Sequence, residues 1–187
     1  SRAKELFEAY IRHGRDPALN TRAKEIVGRL ERQGFLDTLF KEAYDFISMG
    51  REDEGIAKAM EFLGSYPDVW NAWFLVGWAN RRLGRWAAGR DAFLKAVEHG
   101  GGDTDTSNEL AICLLELGDY DESRRILEKA LHAEPENIKV ISNLGMLAKR
   151  AGRTAESTGF FRTVLDLEPG DALALRELAA LEGNSPA

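Results

Sequence analysis

The sequence predicts an all-α chain, a superhelical solenoid of antiparallel helix pairs. Three observations predict it. Several kinds of residue recur at one spacing of 34 positions. Within each unit, apolar residues fall at helical intervals and a glycine or proline closes each run. No segment alternates strictly, apolar then polar, over the length of a strand.

The recurrence is seen in independent columns. Glycine stands at Gly50, Gly84, Gly118 and Gly152. A small residue stands at Ala43, Gly77, Ala111, Gly145 and Ala179, and another at Gly55, Gly89, Ser123 and Ser157. An aliphatic column runs Leu63, Val97, Leu131, Leu165. Pro67, Pro135 and Pro169 keep the same beat, with Gly101 in the missing place. Such self-similarity is the signature of a repeat architecture. The small columns imply close approach of two helices, toward the lower end of the usual separation of about 8–10 Å. The glycine after each first helix permits the reversal, and the proline after each second helix stops it.

Taken in order, residues 1–35 read as an N-terminal helix pair, "AKELFEAYIRHG" and "DPALNTRAKEIVGRLERQG", either a degenerate repeat or a cap. Asp16 and Pro17 make a good helix start. Glu5 and Glu8 fall in columns that should be core. Residues 36–69 form repeat 1. Repeat 2, 70–103, pairs "VWNAWFLVGWANRRLG" with "RWAAGRDAFLKAVEHG", with Trp86, Phe93 and Val97 on one face. Trp70 is expected to cover Tyr66. Repeat 3, 104–137, and repeat 4, 138–171, follow the same scheme. Residues 172–187 supply a lone capping helix and tail, as an array end requires.

At "WFLVG", "LGRW" and "LGDYDESRRILEKALHAEPEN" the chain resembles the tetratricopeptide repeat family, over residues 36–187. Repeat 1 departs most, with Phe62 where the family has Ala and Glu42 where it has Leu. Repeat 2 has Gly101 in place of the closing proline, which predicts a looser exit loop there. The resemblance implies a right-handed superhelix whose first helices line a concave groove.

Composition narrows the function. The chain is 44% hydrophobic and 30% charged, enough to bury a core beneath a charged surface. Its net charge of −6 argues against a nucleic-acid or anionic-membrane binder, both of which need a positive field. No apolar run approaches the ~18 residues of a membrane span. The single cysteine, Cys113, excludes an intrachain disulfide and favours a cytoplasmic setting. The opening "SRAKELFEAY" lacks an initiator Met and a leader, as a piece excised from a longer protein would.

No catalytic arrangement is visible. His13, His99 and His132 are scattered and share no motif with Cys113, which sits among apolar neighbours. "HGGGDTD" lacks the Gly-Lys-Ser/Thr end of a phosphate loop and reads as a connector. No cofactor or metal is expected, and the chain is read as not an enzyme.

Charge and aromatic residues are both clustered. Arg81, Arg82, Arg85 and Arg90 precede a stretch, from Lys95 to Arg124, whose interior holds eight acids and no Lys or Arg. These are solvated faces that pair between repeats, or a field that orients a partner. All four tryptophans lie between Trp70 and Trp86. Trp73 and Trp86 fall in core columns. On the groove face that the resemblance implies lie Phe40, Tyr44, Asn71, Phe74, Trp78, Asn108, Ile112, Lys139, Ser142 and Met146. Some family members clamp the C-terminal carboxylate of heat-shock chaperones. Here only Lys139, Asn143 and Asn108 fall at such positions, so that clamp is not expected. The reading is a non-catalytic module that binds a peptide or helix of a partner protein. The alternatives are a regulatory or oligomerising segment of a larger enzyme and a groove covered by the N-terminal helices or by a second subunit in a homo-oligomer.

Overall fold

The computed structural model describes residues 2–13 and 17–183. The Asp16 cap and the tail after Gly183 lie outside the described residues. Among those described, the chain is helical throughout, in ten helices and no strand. α1 is Arg2–His13 and α2 is Pro17–Ser48. Four pairs then stack: α2 with α3 (Glu52–Ser65), α4 (Trp70–Arg82) with α5 (Trp86–Glu98), α6 (Thr104–Leu117) with α7 (Tyr120–Ala133), and α8 (Ile138–Arg150) with α9 (Thr154–Leu167). The lone α10, Ala172–Gly183, packs on α9.

The turn inside each pair is one motif used four times. Gly50, Gly84, Gly118 and Gly152 all adopt positive φ, between 68° and 83°. In each, the next N–H reaches back five residues to a carbonyl: Arg51 to Phe46, Arg85 to Asn80, Asp119 to Leu114 and Arg153 to Ala148, at 2.8–2.9 Å. This is the helix-ending bond that a left-handed residue makes available. Three of the later helices are started by side chains, α10 among them, where Asp171 accepts from Ala174 N at 2.6 Å. Asp103 accepts from Thr106 N at 2.8 Å, and Asn137 accepts from Val140 N at 3.2 Å.

The small columns meet as expected. Ser123 Oγ donates to Ala111 O at 2.8 Å, and Ser157 Oγ donates to Gly145 O at 2.9 Å. At the same place in the other pairs, a Cβ added to Gly55 would stand 2.9 Å from Ala43 O, and one on Gly89 would stand 3.4 Å from Gly77 O. A second fit sits beside the first. Fully buried Phe93 lies over Gly77, and fully buried Phe161 lies over Gly145. Where the first helix carries Ala43 or Ala111 instead, the corresponding second-helix residues are Ala59 and Leu127. A ring is used where the facing residue has no Cβ.

Three expectations need correction. α2 does not end near residue 35; it runs 32 residues without a break. Gly34 has no positive φ and no proline follows it, so nothing stops the helix. The exit loop of repeat 2 is not loose. Gly101 is buried, its N–H donates to Ala96 O at 2.8 Å, and the Trp70 ring lies against its Cα, where any side chain would collide. Trp70 covers Gly101, and the glycine replaces proline because the indole fills the space. Val97, placed with the core face, is 40% exposed.

Substituting Gly77→Ala should destabilise the fold by about 1–3 kcal/mol, because the new Cβ would lie 2.8 Å from the Phe93 ring. Adding Phe93→Leu should recover part of that loss, giving a double mutant less unstable than the sum of the singles. Thermal melts of the four proteins check it.

The C-terminal helix is tied on by a buried carboxylate. Glu177 accepts from Lys149 Nζ at 2.5 Å and from Arg176 at 2.9 Å. The hydrogen bond from Lys149 holds its pKa below the ordinary carboxylate value. A depressed pKa contributes stability above the unfolded value and loses it as pH falls through the folded one. Protection of α10 amides from exchange, taken relative to the intrinsic rate at each pH, should therefore fall in acid ahead of that of α4 and α5, and Glu177→Gln should abolish that difference.

Candidate functional site

First helices touch first helices: α2 meets α4, α4 meets α6 and α6 meets α8. The second helices make no comparable contact with one another. The first helices thus line the inner side of the curve. α1 packs on α2 and on no other helix to a similar extent, so it does not roof this face.

A cavity of about 540 Å³ opens on the inner side. Phe40 and Tyr44 of α2 form one wall. Trp70, Asn71, Phe74, Leu75 and Trp78 of α4 form the floor, and Asp103, Asp105, Glu109 and Lys139 form the far wall. Tyr44 stacks on Trp78, ring centres 5.9 Å apart and planes 20° from parallel. The Arg82 guanidinium lies 5.4 Å from the Trp78 ring. Phe74 meets the buried Phe93 edge-on at 5.5 Å. The aromatic surface is thus anchored from beneath by the repeat core.

Six of the ten residues predicted for the groove are brought together here: Phe40, Tyr44, Asn71, Phe74, Trp78 and Lys139. Four are not. Asn108 and Ser142 are buried, and Asn108 Oδ1 accepts from Asn143 Nδ2 at 2.7 Å. Met146 is packed into the C-terminal core against α9 and α10, and Ile112 does not line the cavity. Trp78 is partly buried and packs on two core clusters, so it supports the fold as well as lining the cavity. Trp73 faces elsewhere, donating its indole N–H to Pro67 O at 2.7 Å with Lys95 Nζ 5.7 Å from its ring.

Trp70, Leu75, Asp103, Asp105 and Glu109 were missed. Asp105 was within reach of the sequence, since it lies 34 residues after Asn71 and 34 before Lys139.

The arginines are engaged within the solenoid. Arg81 pairs with Glu109 of the next repeat, Arg82 with Glu52 at 2.8 Å, and Arg85 with Asp53 at 2.5 Å in the preceding one. Arg124 with Glu156 and Arg150 with Glu116 continue the ladder. Burial pushes the Glu109 carboxyl above its ordinary value despite Arg81 and Lys139. The Asp105 carboxylate is exposed and stands 3.5 Å from Lys139 Nζ. Lys139, Asn108 and Asn143 therefore already have partners within the chain.

Cys113 is not prepared as a nucleophile. It is fully buried, and burial pushes its thiol up to about 12. Among the described residues no three His, Cys, Asp or Glu side chains are grouped to hold a metal ion. No described helix is long and apolar enough to cross a membrane.

A sequence family described as tetratricopeptide repeat matches residues 40–104, and a second family of the same description matches 81–148. Together they span more than half of the chain. The chain belongs to the tetratricopeptide repeat family. This tetratricopeptide repeat protein is 34% identical over 99 residues to cellulose synthase 2 operon protein C of Komagataeibacter xylinus, a match covering 53% of this chain and 7% of that protein. It is 40% identical over 68 residues to the probable biofilm formation methyltransferase WspC of Pseudomonas aeruginosa, covering 36% of this chain and 16% of the relative. The chain thus spans a small part of either relative's length.

Solved tetratricopeptide repeat structures share the fold, a right-handed superhelical solenoid. MamA 41-end from Desulfovibrio magneticus RS-1 superposes with a TM-score of 0.72 at 16% identity, over 79% of this chain and 84% of that one. YrrB, described as having an unusual peptide-binding site, gives 0.66 at 19%, over 78% and 75%. The second such domain of human RPAP3, solved in complex with an HSP70 peptide, gives 0.52 at 22%, over 57% and 88%.

Arg81→Gln should cost about 1–3 kcal/mol, because it removes the direct ion-pair partner of the part-buried Glu109. It should also make the protein less stable at neutral than at mildly acid pH, where Glu109 is protonated. Denaturant melts at the two pH values check both.

Proposed function

We propose that the chain is a non-catalytic interaction module that takes a peptide or helix of another protein into the concave cavity between α2, α4 and α6. The single observation that carries this reading is the cavity itself. It is concave and floored by aromatic rings whose undersides are held by the core. Rigid aromatics of this kind dominate binding energy because they bury much area with few rotors. The peptide complexes of related folds support the reading. With Asn108 and Asn143 bonded to each other and Lys139 beside Asp105, the far wall is not arranged to hold a terminal carboxylate.

A second reading has its own support. Both curated relatives are far longer than the matched segment, and one is named a methyltransferase. In that reading the same face docks on another domain of a larger polypeptide.

Panning a random peptide display library on the protein tests the groove. Selected peptides should change the fluorescence of Trp70 and Trp78. Tyr44→Ala should weaken them at least about tenfold with little loss of melting temperature. Selected peptides indifferent to Tyr44 and Phe74 would sink the reading.

A further inference from the structure

The charge of this chain is divided unevenly. Residues 1–35 hold eight Lys or Arg against five Asp or Glu, whereas the remainder holds 17 against 26. The N-terminal hairpin is therefore basic and the solenoid strongly acidic. The hairpin also shows apolar side chains to solvent. Leu6 is 66% exposed, Leu19 is 50% exposed, and Tyr10 sits one helical turn beyond Leu6. Arg2, Leu6 and Tyr10, spaced by four, share one face of α1. Leu6 and Tyr10 edge an open apolar cleft between α1 and α2, with Leu19 and Ile26 across it, and α1 packs on no other helix to a similar extent. The cavity offers the opposite pattern, with rings at one wall and, at the other, the three acids Asp103, Asp105 and Glu109 beside the single cation Lys139.

We propose that the occupant of the cavity is the N-terminal hairpin of a second copy of this chain. The α1 face enters as an amphipathic helix in a groove, with Leu6 and Tyr10 as its i, i+4 anchors on Tyr44 and Phe74. Arg2 and its basic neighbours meet the acidic wall. The inference rests on the groove reading above and gives the groove a definite ligand. Charge selects this pairing over the symmetric one. Two hairpins face to face would oppose basic surfaces, which costs affinity, whereas hairpin to groove joins unlike fields. The contact is heterologous, since the two partners use different surfaces.

Sedimentation of the intact chain tests it, with two exposed-site variants. Leu6→Glu spoils only the hairpin, and Tyr44→Ala spoils only the groove. The unmodified protein should sediment above its 20.8 kDa monomer mass, increasingly so with concentration and less at high salt. Each variant alone should associate at least about tenfold more weakly. Mixed together, they should regain association but stop at dimers, because the mixture holds one intact hairpin-to-groove contact. Circular dichroism establishes that both variants are folded. If Leu6→Glu does not fold, Arg2→Glu, at an exposed position, takes its place. A monomer at every concentration overturns the proposal, as does a dimer of which Tyr44→Ala is independent. Loss of association in both variants without recovery on mixing overturns it too. If display peptides still bind through Tyr44 while the chain stays monomeric, the groove reading stands and only the self-pairing fails.

Discussion

Everything in this molecule depends on how closely two helices of a pair can approach. The approach is fixed at a carbonyl of the first helix: Ala43, Gly77, Ala111 or Gly145. It meets a residue twelve positions later that has either no side chain or one short hydroxyl. With serine, the hydroxyl donates to the carbonyl and gives a buried polar atom a partner. With glycine, the backbone itself closes the gap. Both solutions hold the pair in one geometry, and that geometry sets the angle at which each first helix presents its inner face. The aromatic floor of the cavity follows from it, since Phe74 rests on Phe93 and Phe93 rests on Gly77.

The repeat was legible because it is a property of spacing. Residues that must be small to let helices meet, or glycine to let the chain reverse, leave columns that survive differences elsewhere. Helix starts at Trp70, Thr104, Ile138 and Ala172 fall where those columns placed them. The turn glycines were legible for the same reason, because left-handed φ leaves little choice of residue.

What the sequence concealed are relations between residues in different columns. Trp70 and Gly101 fit each other across 31 positions, and reading Gly101 alone produced a looser loop. The continuity of α2 was hidden because a glycine is read as a stop, whereas a glycine stops a helix only when it takes positive φ. The arginine cluster read as faces that pair between repeats or as a field for a partner, and the sequence alone did not name the pairs. Its partners, Glu52, Asp53 and Glu109, lie in the neighbouring repeats, at separations that a local scan does not join. The aromatic part of the predicted groove, Phe40, Tyr44, Phe74 and Trp78, was legible because it falls on α2 and α4. Met146 and Asn108, predicted for the same face, are withdrawn from it because α10 closes over Met146 and because Asn108 and Asn143 satisfy each other.

The uninterrupted α2 has a mechanical consequence. A helix of 32 residues is a strut about 48 Å long. One end is embedded in the first repeat, and the other carries α1. With no joint between them, a load on α1 is delivered as torque to the stacked array, and the array cannot turn without carrying α1 with it. The direction in which α1 points is therefore set by the same packing that sets the pitch of the superhelix, and chains built this way hand on a fixed bearing rather than a loose tether.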